Sequence, residues 1–174
     1  MLQKVDWQVL NYLTLAQEPV FASQIARELG LGKSSVSRSF RALKSYSFIK
    51  YTQRGKNIYC EVDRRSPVLA KIRVALNLIE IQPKLKTLDK VAQKIVLFGS
   101  CSKGADTRDS DIDILVIASD KIKAMKVTQS IKLDRQVQWV IKTPQEYIVL
   151  NSKEAVFAEE LAAGITLWEQ DETA

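Results

Sequence analysis

The stretch VLFGSCSKGADTRDSDIDILV, residues 96–116, joins two apolar runs through a polar segment whose residue types can do chemistry. Gly99 and Ser100 close the first run; Asp111 and Asp113 open the second, DIDILVIA. Residues two apart on a strand point to the same face, so the two carboxylates converge. Neighbouring carboxylates repel, and a divalent cation relieves that repulsion. Hard oxygen ligands suit magnesium, which keeps waters and substrate phosphates in its remaining positions. Gly99 and Ser100 turn the chain, so that backbone N–H groups and the Ser100 hydroxyl can face a phosphate. The arrangement reads as a metal-plus-triphosphate site, in which a second metal can activate the attacking oxygen.

Composition narrows the alternatives. The chain has no histidine, which removes Ser–His and Cys–His nucleophile systems and His-ligated zinc. Its two cysteines, Cys60 and Cys101, form no CxxC pair, so neither a disulfide framework nor a zinc ribbon is indicated. No apolar run approaches the roughly 20 residues that span a bilayer. Asp6 and Gln8 stand where a signal peptide would be apolar. A cytoplasmic protein without a membrane partner is expected.

Around the acidic pair the elements are readable. Lys94–Phe98 is a short β-rich run suited to a buried strand, and QVQWVIK, Gln136–Lys142, supplies a neighbouring one. Thr143-Pro144-Gln145-Glu146 is a capping box that starts a helix. A last helix, SKEAVFAEELAAG, carries Glu159 and Glu160 as solvated-face charges and ends at Gly164, before a short closing strand Ile165–Glu169. Asp106 and Asp109 read as turn and capping residues. Upstream, Ser66-Pro67 starts a helix, and Val68, Leu69, Ile72, Leu76 and Ile79 make one apolar stripe while Val74, Leu78 and Ile81 make another. Such a helix is buried on two sides, between the domains or in a homodimer interface. Leu85, Leu88, Val91 and Ala92 continue it as a second short helix.

The net charge of +6 resides in residues 1–65, which hold eleven Lys/Arg against five Asp/Glu. Localised positive charge points to a polyanion partner. There, residues 4–16 are helical by apolar spacing, and Ala26, Gly30 and Val36 fall where a helix-turn-helix needs a small residue, a turn glycine and a branched core residue. Leu29, Phe40 and Leu43 continue the buried stripe. The second helix, capped by Gly32, presents Lys33, Ser34, Ser35, Ser37, Arg38 and Arg41, types that meet phosphates and guanine edges. A hairpin with a basic tip, Arg54-Gly55-Lys56-Asn57, follows. Helix, helix-turn-helix and hairpin in that order resemble a winged-helix double-stranded DNA-binding domain; such modules also dock proteins.

Gly99-Ser100, ten residues, then Asp111-Ile112-Asp113 resembles the signature of the DNA polymerase beta type nucleotidyltransferases. Lys103-Gly104 and Asp109-Ser110 resemble their small prokaryotic branch, the minimal nucleotidyltransferases. The resemblance implies that Gly99 and Ser100 bind the triphosphate of a nucleoside triphosphate substrate, and that Asp111 and Asp113 hold magnesium and serve catalysis. Lys103 stands where the branch often has arginine and pairs with a phosphate. The pattern also implies a third acid on a neighbouring strand, where this chain has Gln138; Asp134, just before that strand, reads as a turn residue. Members of the branch resemble antitoxins that nucleotidylate a small helical toxin, which implies a helical partner protein as acceptor.

The expectation is a two-domain α/β protein: a winged helix over 1–65, a helical connector over 66–93, and over 94–174 a nucleotidyltransferase-type mixed sheet with flanking helices. It binds DNA and transfers a nucleoside monophosphate to an acceptor. The alternative is a catalytically degenerate domain serving as a nucleotide sensor in a transcriptional regulator.

Overall fold

The computed structural model describes residues 1–55 and 57–170; Lys56, named above at the hairpin tip, lies outside them. The chain divides into two compact units, Met1–Arg73 and Val74–Ala174, so the stretch read as a connector is shared between them.

In the first unit, α1 (Lys4–Leu15) starts on a capping box in which the Gln3 N–H donates to Asp6 Oδ2 at 2.7 Å. A two-residue strand, β1 (Val20–Phe21), leads into α2 (Ala22–Leu29), and Gly30 ends α2 at φ +64°. That left-handed turn is one glycine adopts without steric cost. It swings the chain into α3 (Lys33–Ser45), whose Val36, Phe40 and Leu43 are buried with Ile25 and Ala26. Leu29, expected in this stripe, is exposed. The chain reverses at Gly30 immediately after it, and Leu31 packs against the core instead. Strands β2 (Ile49–Arg54) and β3 (Asn57–Val62) form the hairpin, and β1 adds to the far edge of β3. Cys60, central in β3, is fully buried; burial and the neighbouring Glu61 push its thiol up to about 12, so it stays protonated and unreactive.

Helix α4 (Pro67–Ile81) begins at the Ser66 cap, whose hydroxyl accepts from the Leu69 N–H at 3.4 Å. A 3-10 helix, Gln82–Lys90, follows where a short helix was expected and buries Leu85 and Leu88. Next come β4 (Lys94–Phe98), α5 (Gly99–Lys103), β5 (Ile112–Ile117), α6 (Lys121–Thr128) and β6 (Val137–Lys142). The closing helical segment is broken at Glu154 into α7 (Pro144–Lys153) and α8 (Ala155–Ala162), before β7 (Ile165–Glu169).

The four strands form a mixed sheet in the order β6-β5-β4-β7, with β5 and β6 parallel and the other pairs antiparallel. Alternation splits the sheet into two faces. Ile95, Leu97, Ile112, Ile114 and Val116 pack on one side with Leu85, Leu88 and Ala124. Val96, Phe98, Leu115 and Ile117 pack on the other with Leu150, Phe157 and Leu161 of α7 and α8. Central strands apolar on both faces explain why β4 and β5 read as continuous hydrophobic runs.

Gly164 joins α8 to β7 without a left-handed backbone, so conformational freedom is not why it is glycine. A Cβ there would meet Leu97 O at 2.8 Å and Leu161 O at 2.9 Å, both backbone atoms. Gly164→Ala should therefore lower stability by about 1–3 kcal/mol, the usual cost of overpacking. Denaturant unfolding measures this, with Gly30→Ala as comparison: no atom lies within 4 Å of a Cβ there, and only backbone strain remains.

Candidate nucleotide and DNA sites

The strand register builds the site. Phe98 pairs with Asp113 across β4 and β5, so the chain leaving β4 at Gly99 turns directly beside the Asp113 side chain. Gly99 has φ +65°, and a Cβ on it would lie 2.2 Å from Asp113 Oδ2. Both the backbone conformation and the space demand glycine. Asp113 shares the face of Leu115 and Ile117, and Asp111, two residues earlier, lies on the same side. Asp111 is exposed and Asp113 half-buried. Asp113 is raised above the ordinary carboxylate value by burial first, then by Asp111, then by Glu160.

Ser100 stands half-buried in the first turn of α5. That turn is fixed internally: Ser102 Oγ donates to Gly99 O at 2.9 Å, and the Ala105 N–H donates to Ser100 O at 3.0 Å across Gly104, at φ +69°. Cys101, buried beneath, donates its thiol to Asp111 O at 3.6 Å and ties the turn to the acidic pair. Lys103 is exposed on the last turn of α5 and pairs with Glu160 at 3.5 Å.

Glu160 is the residue that sequence reading missed. Periodicity placed it on a solvated face, but α8 packs through Phe157 and Leu161 on the sheet face that carries Asp113. Only that long-range packing brings it to Lys103 and within electrostatic reach of Asp113. Gln138 pairs with Asp113 in the parallel β5–β6 register and shares its face, with an exposed side chain. Asp134 is exposed and pairs with Lys84 at 3.7 Å. Asp106, read as a turn residue, is 1% exposed and enclosed by protein.

The donor chemistry fits a hard cation: two carboxylates on one face, one of them raised partly by repulsion from its neighbour. Among the described residues, no three Asp, Glu or Cys side chains are grouped to enclose a metal. Two carboxylate ligands would leave the other positions of such a cation to water and phosphate.

In the first unit, Lys33, Ser34, Arg38 and Arg41 are exposed on α3, with Ser35 and Ser37 half-buried beside them. Lys44 extends this basic face, its Nζ lying 4.5 Å from the centre of the Tyr51 ring. Arg54 ends β2 at the hairpin. Among the described residues, no helix is long and apolar enough to cross a membrane.

No curated protein sequence matches the chain. Among solved structures, a toxin-antitoxin complex with AMP-PNP shares 30% identity over 55% of this chain and 76% of its own, with a TM-score of 0.37. A mutant of the toxin-antitoxin MntA-HpeT shares 27% over 55% and 75%, at 0.36. A putative nucleotidyltransferase from Sulfolobus solfataricus shares 15% over 59% and 89%, at 0.40. Residues 8–51 match the family model for bacterial regulatory proteins of the arsR family, in keeping with the helix-turn-helix. Residues 80–173, more than half of the chain, match the model described as polymerase beta, nucleotidyltransferase, and the chain belongs to that family.

Proposed function

We propose that the second unit transfers a nucleoside monophosphate from a nucleoside triphosphate to an acceptor hydroxyl, while the first unit binds duplex DNA. The observation that carries the enzymatic reading is the close approach of Gly99 to Asp113, which sets a tight turn against a paired acid. In this reading the Ser100 hydroxyl and the N–H groups of the turn donate to the triphosphate, and Lys103 leaves Glu160 to meet a phosphate oxygen. Asp111 and Asp113 would hold magnesium, which when bound would neutralise charge developing on phosphate oxygens. The acceptor oxygen bonds to the α-phosphorus as the bond from that phosphorus to the β-bridging oxygen breaks. Pyrophosphate departs, and the acceptor proton passes to solvent. A helical partner protein is the acceptor implied by the family resemblance.

Gln138 favours a second reading, since an amide supplies no anionic ligand beside Asp113. In that case the unit binds nucleotide and transfers little, as the sensor of a DNA-binding regulator. A transfer assay with labelled nucleotide, magnesium and lysate separates the two, and in the second case Gln138→Asp should raise transfer above the wild-type level.

Asp111→Asn should sharply weaken magnesium-dependent binding of a non-hydrolysable ATP analogue in calorimetry. Binding indifferent to both the metal and this substitution would overturn the metal-site reading. Stability should move the other way at Asp113. Because the folded state holds that carboxyl above its ordinary value, wild-type stability falls as pH rises from the ordinary value through the raised one. Asp113→Asn lacks that loss, so metal-free variant should match or exceed wild type at neutral pH, with the difference vanishing below about pH 4.

DNA binding by the first unit should weaken steeply with salt, with a log-log slope of about −0.9 per phosphate contact. Arg38→Ala or Arg41→Ala should cost roughly 1–3 kcal/mol at one base position if the arginine reads a base, and should weaken all sequences evenly if it meets phosphate. Fluorescence anisotropy across a salt series measures both.

A further inference from the structure

Along the segment between Ser100 and Asp111 lies a buried polar cluster that the chemistry above does not use. Asp106 and Asn77 are 1% and 0% exposed, and the Arg135 side chain is 10% exposed. Arg135 Nη1 donates to Asp106 Oδ2 at 2.9 Å and to Thr107 O at 3.4 Å, and its Nη2 donates to Asn77 Oδ1 at 3.1 Å. Asn77 Nδ2 donates in turn to Asp106 Oδ1 at 3.0 Å and to Cys101 O at 3.0 Å. The three side chains come from α4, the α5–β5 loop and the α6–β6 loop just before β6. Two of their contacts fall on backbone carbonyls at either end of one segment. Cys101 follows Ser100, and Thr107 opens the turn to Ser110, where Thr107 N–H donates to Ser110 Oγ at 2.9 Å just before Asp111.

A buried ion pair is poor evidence for stability, because desolvating both charges offsets much of their attraction, and apolar replacement is often neutral or favourable. What such a network does provide is one defined arrangement of the groups it bonds. Here those groups are the backbone between the phosphate turn and the acidic pair. Left to itself, a ten-residue connection between Ser100 and Asp111 would sample many conformations, each ordered residue costing about 1–2 kcal/mol. Misplacing a binding group by about 1 Å is enough to cost on the order of a hundredfold in rate.

We propose that Arg135, Asp106 and Asn77 are positioning residues: they clamp the segment from Cys101 to Thr107 so that Ser100 and Asp111 hold a fixed separation, without touching nucleotide themselves. The consequence for nucleotide affinity rests on the function proposed above; the clamp itself does not. In the test, Asn77→Leu, Asp106→Leu and Arg135→Met are combined, replacing the network by apolar side chains. Thermal melting, amide hydrogen exchange and calorimetric binding of a magnesium-loaded, non-hydrolysable ATP analogue are then compared with wild type. The clamp predicts a folded variant with near wild-type melting, faster exchange confined to residues 100–111, and nucleotide affinity lower by about tenfold or more, the range seen when supporting residues around a site are lost. Unchanged exchange in that segment overturns the proposal, as does faster exchange spread equally over β4 and β5.

Should the triple variant not fold, Arg135→Lys decides. Lysine keeps the charge but lacks the planar fork that reaches Asp106, Thr107 and Asn77 together. Local exchange should rise with melting unchanged, and no local rise overturns the clamp. If wild type binds no nucleotide while the exchange effect is present, the nucleotide reading fails and the clamp stands.

Discussion

Everything chemical in the second unit depends on one steric constraint, the register that sets Phe98 opposite Asp113. With β4 and β5 paired in that way, a side chain on the residue after Phe98 would displace the Asp113 carboxylate, and its backbone turns left-handed at φ +65°. The turn then cannot drift from the acid, because one helical turn, α5, is bonded back on itself and Cys101 reaches the carbonyl of Asp111. A tight turn and a pair of carboxylates are thus brought together at the end of an ordinary antiparallel strand pair.

The two faces of the sheet differ. Its α6 side is closed over by Leu85, Leu88 and Ala124. Its α7–α8 side is apolar through Leu115, Ile117 and Phe157, but gives way at the start of β5 to Asp113, Gln138 and Glu160. On this face charge appears where the strands run out of core, and partial burial there, with repulsion from Asp111 and Glu160, holds Asp113 above its ordinary value.

What the sequence disclosed follows from the range of the interactions involved. Gly99, Asp111 and Asp113 were legible because strand alternation and a turn are local, and the capping box at Thr143 and Glu146 was legible because its partners are three residues apart. Leu29 was misjudged because helical spacing does not show where a chain reversal uncovers the last turn. Strand β1 escaped because two residues carry no period, and its existence depends on pairing with Tyr59 and Cys60 far along the chain. Glu160 escaped because nothing local distinguishes an exposed helix face from one that leans over a site. The Arg135–Asp106–Asn77 cluster was the least visible of all, its members separated by 29 to 58 residues.

The position of Gln138 has an evolutionary consequence. It occupies an edge strand with its side chain in solvent, where exchanging an amide for an acid disturbs no packing and changes stability by no more than about 0.5 kcal/mol. A glutamine codon becomes a glutamate codon through a single base change. Gly99, by contrast, cannot gain a side chain without displacing the Asp113 carboxylate. An acid at position 138 can therefore come and go by drift while the turn at Gly99 keeps its place beside Asp113 and the fold is left as it is.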